Sequence, residues 1–452
     1  MTTRLPSRLH GLSLSIHGCA ILGISALVFL AVGCETRQES LTKSRIRKVE
    51  NGLLRAIYLK GQRPEKLSLD ARMQFYKVPG LGIAVMDRNA LEWAGGYGVR
   101  DSHSREPVTA DTIFQAGELS QPVAAAAALQ LVDKGRLDLD ADVSARLHGS
   151  DLTRTDLAGK NGTTLRGILT RASGFDLLPK LLESVTSSSF PSLMNETVLG
   201  PLGMKNSTFT APLPEAMKIN AASGHGRDGR PIEGKWTDSP AAAASGLWTS
   251  PSDLLSFAAD ILRTAMGKGG KVLTAGQARA MLTPQAGNRG LGFEIEGAGT
   301  DIRFHLQGRT RGFTCSLDVY PYKGQGAVVM TNSDNGFLIT EEILRSVSTA
   351  YEWPDFRPRE RPLYRLDPSI YRQYVGHYEI SPDYILDVSY EDYYLVIRPT
   401  GQAPTRFFVE SQTFFFSVDP YVRIQFLSDQ KGNVTGFILW QQDFKQEAKK
   451  IG

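Results

Sequence analysis

The pattern of apolar and polar positions changes character several times along the chain. Cys19–Gly33, "CAILGISALVFLAVG", is an unbroken apolar run of 15 residues behind a basic segment holding Arg4 and Arg8. A membrane-spanning helix needs about 20 residues, so this run fits the core of a signal peptide. Residues 35–47, "ETRQESLTKSRIR", read as a polar tether, and "VENGLLRAIYLKG" predicts a helical stretch ended by Gly61. From Val78 to Asp101, "LGIAVM", the turn "DRNA" and "LEWAGGYGV" predict a β-hairpin behind Pro79 and Gly80. Gln121–Lys134 is apolar nearly all round, with Pro122 in its first turn and Gly135 just past its end, which predicts a helix buried in a core. Arg303–Asp334 reads as strand, hairpin and strand, and "FLITEEILRSVSTAYEW" as an amphipathic helix.

"PDFRPRERP", with three prolines and five charges, predicts an interdomain linker, after which the texture becomes that of short strands such as "YILDVSYEDYYLVIRP" and "VTGFILWQQ". The expected division is a signal peptide over 1–33, a tether over 34–47, a main domain over 48–356, a linker over 357–367 and an all-β module of barrel or sandwich type over 368–452. A length of 452 residues, 41% apolar and 22% charged, is ordinary for a globular chain of two or three domains. The net charge of +4 comes with no sustained basic patch, so nucleic acid is excluded as a partner. Dinucleotide, Walker and zinc spacings are missing, and the seven histidines never pair at metal-ligand spacing, so no cofactor or metal is expected. Asp138, Asp140 and Asp142 could spell a metal cluster, but they read as turn or capping carboxylates.

"LAVGC", ending at Cys34, resembles a bacterial lipobox, with Ala31 where the pattern usually has Leu. The resemblance implies cleavage before Cys34 and lipidation of its thiol. That would anchor the chain to the membrane on the periplasmic side of a bacterial cell envelope. Glu35, in place of an Asp associated with inner-membrane retention, points to the outer membrane. An uncleaved anchor or plain secretion are the alternatives. Cys315 would then stand alone, so no disulfide is expected.

The segments "VPGLGIAVM", "FQAGELSQPVAAAAALQLVDKGRLDLDADV", "TTLRGILTRASGF", "VLGPLGMKNSTF", "AAAASGLWTSPSDLLSFA" and "GAVVMTNSDNG" follow one another between Lys48 and Phe356. Together they resemble the class C β-lactamase and penicillin-binding-protein-like serine hydrolases. The resemblance implies an α/β (α+β) fold, with an antiparallel sheet flanked by helices and a helical subdomain. The C-terminal module is similar to the lipocalin-like domain often appended to this family. In active members the site combines Ser-x-x-Lys at the start of a buried helix, a Tyr-x-Asn type motif, and Lys- or His-x-Gly on an edge strand. Such a serine needs a base to take its proton, and residues three apart on a helix share a face. Backbone N–H groups of the serine and the edge strand form the oxyanion hole.

Carried onto this chain, the nucleophile position is Glu118 and the lysine position is Gln121. No tyrosine occurs between Tyr97 and Tyr320, so the tyrosine motif is lost. Leu306 stands where the cation belongs, with His305 one step early and so on the opposite face, while Gly308 is kept. Three losses in one site predict a pseudoenzyme without catalytic residues, acting by binding a cell-wall peptide or an envelope protein. Two other readings remain. Ser120, read either as a helix N-cap or as an unorthodox nucleophile, would make the chain an active hydrolase. Alternatively, the function lies in the aromatic-rich C-terminal module. Trp248 reads as a core aromatic or a cleft wall. "SLTK" at Ser40–Lys43 and "SDQK" at Ser428–Lys431 match Ser-x-x-Lys outside any buried helix.

Overall fold

The structure, a computed structural model, describes residues 1–2, 38–147, 163–170, 174–237, 242–441 and 444–451. The expected signal peptide and Cys34 lie outside the described residues. No described helix is long and apolar enough to cross a membrane.

The first described element corrects the expected tether. Residues 38–50 form a helix, α1, supported on its exposed side by an i,i+4 ion pair from Lys43 to Glu39. The expected helix up to Gly61 is corrected too. After α1 the chain turns at Gly52, where a Cβ would fall 2.3 Å from the Lys48 carbonyl oxygen. It then extends as β1, Ile57–Leu59, burying Ile57 and Leu59 and leaving Tyr58 half-buried. A run of three residues is too short for its period to separate strand from helix. Pairing decides it, because β1 lies parallel to a strand within the expected linker.

The central sheet is antiparallel and six-stranded. Its strands are β2 (Gly80–Asp87), β3 (Ala90–Gly98), β6 (Glu294–Glu296), β7 (Arg303–Thr310), β8 (Phe313–Tyr320) and β9 (Gln325–Thr331), in the order β3-β2-β9-β8-β7-β6. A two-residue ladder elsewhere joins β4 (Phe114–Gln115) to β5 (Trp248–Thr249). The β2–β3 turn holds Arg88 and Asn89 at φ 51° and 64°, the left-handed pair that suits the twist of a hairpin. Four helices pack around the sheet: α2 (Leu69–Tyr76), α3 (Ser120–Asp133), α5 (Pro251–Ala265) and α6 (Gly336–Tyr351), while α4 (Leu178–Thr186) belongs to the helical part. Strand alternation sorts β2 between two layers. Ala84 and Met86 enter the large core that includes α3 and α5, whereas Leu81, Ile83 and Val85 are buried outside that cluster. Of the fourteen residues of α3, eleven are buried, as its apolar circumference requires.

Eight strands close the C-terminal module into a barrel whose neighbours follow chain order. They are β11 (Gly376–Ser381), β12 (Tyr384–Glu391), β13 (Tyr394–Pro399), β14 (Thr405–Val409), β15 (Phe414–Ser417), β16 (Arg423–Ser428), β17 (Val434–Gln441) and β18 (Phe444–Lys450). Eight strands leave an interior that side chains can fill. Tyr378, Phe415, Phe426 and Phe437 do so, and Tyr371 from α7 (Pro368–Arg372) and Tyr374 just beyond it add to the packing. Tyr374 stacks on Phe426 at 4.1 Å.

Barrel and sheet domain are joined through Arg72. Its guanidinium is buried and donates to both oxygens of Glu342 (2.7 and 2.7 Å) and both oxygens of Asp419 in the barrel (2.9 and 2.6 Å). Arg55 donates to the same Asp419 at 2.7 Å. Alongside, β1 pairs with β10 (Arg359–Arg361), so the expected linker is a bound strand. Ile57 and Leu59 pack on Phe416 of the barrel wall. Removing Asp419 leaves Arg72 Nη1 without its carboxylate and Glu342 alone to balance the buried guanidinium. Asp419→Ala is therefore expected to lower unfolding free energy by about 3 kcal/mol in denaturant titrations. A change within about 0.5 kcal/mol would contradict this reading of the joint.

Candidate functional site

The site implied by the sequence lies where the start of α3 meets the free edge of β7. Strand β6 pairs only with Arg303, Phe304 and His305, so β7 beyond His305 is open on that side. A 3₁₀ turn, Gly117–Leu119, fills the opening and feeds into α3. Two glycines permit the approach. Gly117 has φ +56°, and a Cβ there would sit 2.4 Å from the Arg309 nitrogen. A Cβ on Gly308 would sit 2.0 Å from the Ala116 carbonyl oxygen. Any side chain at either position would push helix and strand apart.

At the nucleophile position, Glu118 is half-buried and its Oε2 accepts a hydrogen bond of 2.7 Å from the Arg309 backbone N–H. That N–H lies on the edge strand, one step past Gly308. Here a fixed carboxylate of the chain itself takes it. The positive end of α3 favours the negative charge there.

Ser120 is fully buried, and its role differs from the expected N-cap. It is the first residue of α3; its hydroxyl donates to the Gly117 carbonyl oxygen at 2.6 Å and accepts from the Leu247 N–H at 3.0 Å. The hydroxyl ties the 3₁₀ turn to the segment before β5, and neither partner is a base. Gln121, at the lysine position, is buried, with an Oε1 that meets no hydrogen-bond donor. Leu306 is buried in the apolar core. His305 points the other way, toward the edge strand, with Nε2 3.6 Å from Glu296 Oε2. The structure thus brings together Glu118, Ser120, Gln121 and Gly308, and sends Leu306 into packing.

Several residues of the site, Trp248 apart, had no visible signal in the sequence. Arg309 contributes a backbone N–H, which composition cannot reveal; only the register counted from Gly308 points to it. Gln115 donates to the Thr237 carbonyl oxygen (2.7 Å) and accepts from the Thr310 hydroxyl (3.2 Å), stitching the rim together. Trp248 is buried and packs edge-on against half-buried Trp236 (5.3 Å) and against Phe313 (5.8 Å), so it is at once core and rim. Behind the β7–β8 turn, His225 is fully buried. Its Nδ1 donates to the Asn332 carbonyl oxygen at 2.9 Å, and its Nε2 accepts from the Ser102 N–H at 3.1 Å. Both bonds require a neutral ring, and burial lowers its pKa below the ordinary 6.5.

The remaining motifs fall outside the site. Ser40 and Lys43 lie exposed on α1, where the ammonium meets Glu39. Ser428–Lys431 spans the end of β16 and its turn. Asp140 pairs with Arg166 (2.7 and 2.8 Å), Asp138 accepts from the Asp140 N–H, and Asp142 from the Ser144 N–H. They hold the turn. Cys315 is buried and its thiol donates to the Gln115 carbonyl oxygen, with burial pushing its pKa well up.

A family model described as Beta-lactamase matches residues 68–345. A protein named Beta-lactamase from Pseudomonas fluorescens is 24% identical over 336 residues, covering 59% of this chain and 92% of its own. Penicillin-binding protein 4 from Amycolatopsis lactamdurans is 26% identical over 266 residues, covering 48% and 68%. Among solved structures, the octameric penicillin-binding protein homologue from Pyrococcus abyssi superposes with a TM-score of 0.57 at 18% identity, over 84% of this chain and 98% of that one. D-alanine carboxypeptidase AmpC from Burkholderia cenocepacia gives 0.53 at 20% identity, over 62% and 96%.

Ser120→Ala should leave the Gly117 carbonyl and the Leu247 N–H unpaired and destabilise the chain by about 1–3 kcal/mol in chemical denaturation. Stability equal to wild type would show that the hydroxyl does not hold the turn. His225 gives a second expectation. Because its folded pKa is lowered, the unfolded chain takes up the proton first as pH falls. Its contribution is complete above about pH 6.5 and is lost below, at up to about 1.4 kcal/mol per pH unit. That slope should be absent in His225→Asn; an identical pH profile in both proteins would contradict the assignment.

Proposed function

Since the chain belongs to the beta-lactamase family, we propose that it is a non-catalytic member, tethered at the bacterial cell envelope by a lipid on Cys34, whose cleft binds rather than turns over. The observation that carries this reading is the Glu118 carboxylate seated on the Arg309 N–H. A site that loses its nucleophile still keeps about 10³–10⁴ over water when its oxyanion hole and substrate binding survive. Here the edge-strand donor is already committed to an anion, so even that residue of activity has no place to act. Gln121 cannot take a proton from a hydroxyl, and Leu306 brings no charge.

A cell-wall peptide or an envelope protein is the partner class that the kinship and the expected location favour, on the periplasmic side and with the outer membrane preferred. Ser120 as a substitute nucleophile is disfavoured by its burial and by its two occupied hydrogen bonds. Ligand capture inside the barrel is disfavoured by the aromatic packing of its interior.

The test is intact mass of the mature chain after exposure to a fluorophosphonate and, separately, to a penicillin. The expected result is no adduct with either. A stoichiometric adduct mapped to Ser120, or to another serine lining the cleft, would overturn the non-catalytic reading.

A further inference from the structure

We propose that the outer wall of the barrel carries a second binding site, for a short free peptide with apolar side chains and both termini charged. The site uses no residue of the cleft, so it stands independently of the non-catalytic reading. Strand alternation explains how it arises. Leu395, Ile397, Phe407 and Val409 fill the barrel interior, so Tyr394, Val396, Arg406 and Phe408 face outward on β13 and β14. Three of these four are apolar or aromatic, on a face that a solvated antiparallel sheet normally makes polar.

The strand β1 covers only part of that face. Ile57 and Leu59 pack on Phe416, with Phe408 and Val418 at the margin of the contact. Beside that margin lies a hollow of about 460 Å³, whose lining includes Val396, Phe408, Val418, Glu391, Arg406 and Asp419. Asp419 is already matched by Arg72 and Arg55. Two charges remain, and one tyrosine holds both. The Arg406 guanidinium lies over the Tyr394 ring at 4.9 Å, while the Tyr394 hydroxyl donates to Glu391 Oε2 at 3.2 Å. They stand too far apart to pair with each other, and among the described residues neither forms an ion pair. A guanidinium resting on a ring face keeps its forked donors for a carboxylate, and the second oxygen of Glu391 is left for an ammonium. A ligand with a single charge would match one group and desolvate the other without a partner. Charges separated in this way need a ligand whose own ends are separated, which a dipeptide supplies at about 3.5 Å per residue. Its side chains would then lie on Val396, Phe408 and Val418.

The experiment uses the full chain in lipid nanodiscs and three probes: leucylleucine, its N-acetyl derivative and its C-terminal amide. These are a zwitterion, an anion and a cation, and binding is followed by titration calorimetry. Leucylleucine is expected to bind more tightly than either capped form, by about fivefold or more. Arg406→Gln is expected to erase the preference for the free carboxylate and keep the preference for the free amine. Glu391→Gln is expected to do the reverse. Both side chains are exposed, so thermal unfolding should match wild type in each variant. No binding of leucylleucine, equal or tighter binding of a capped form, or a variant that keeps both preferences would each overturn the proposal. A serine adduct in the mass experiment above would leave this site standing, and its failure would leave the non-catalytic reading standing.

Discussion

Everything at the site depends on one close approach, the 3₁₀ turn before α3 pressed against the open edge of β7. Gly117 and Gly308 make the approach sterically possible, since a Cβ at either would stand within 2.4 Å of the opposing backbone. In a working hydrolase of this architecture, that contact places a nucleophile beside backbone donors aimed at a developing charge. The same contact survives here, but the side chain delivered to the donor is Glu118. In the non-catalytic reading, a place preorganised for a transient anion holds a permanent one. The physical consequence is occupancy: the donor is satisfied before any ligand arrives.

The second constraint lies at the joint between sheet domain and barrel. A buried guanidinium shared by Glu342 and Asp419 is costly unless every donor is matched, and here Arg72 has both carboxylates and lies over the rings of Phe75 and Tyr76 at 4.3 and 4.6 Å. Added to the β1–β10 pairing, this fixes the barrel as part of one body. Its packed aromatic interior gives it the character of a structural module, and its wall packs against Ile57 and Leu59 of β1.

Much of this was legible in the sequence where a long period or a turn residue spoke. The hairpin over Val78–Asp101, the buried helix from Gln121, the three strands through Asp334 and the run of C-terminal strands all carried such signals. The stretch from 38 to 61 was misread because α1 carries a polar i,i+4 pair and little apolar stripe, and β1 is three residues long and defined by a partner about 300 residues away. Glu118, Gln121 and Leu306 could be named from the motif pattern alone. What Glu118 does could not, because its partner is a backbone N–H whose position follows from strand register and from two glycines. Ser120 looked like a cap for the same reason: its partners, Gly117 and Leu247, become neighbours only after the chain has folded.

The occupied donor is tested most directly by amide hydrogen exchange at Arg309, measured by NMR in the wild type and in Glu118→Ala. A carboxylate bound at 2.7 Å should make the Arg309 amide slow to exchange, and its removal should raise the rate by at least tenfold while neighbouring β7 amides keep theirs. An Arg309 amide that exchanges freely in the wild type, or at the same rate in both proteins, would mean that Glu118 does not hold the oxyanion donor, and the account built on it would fail.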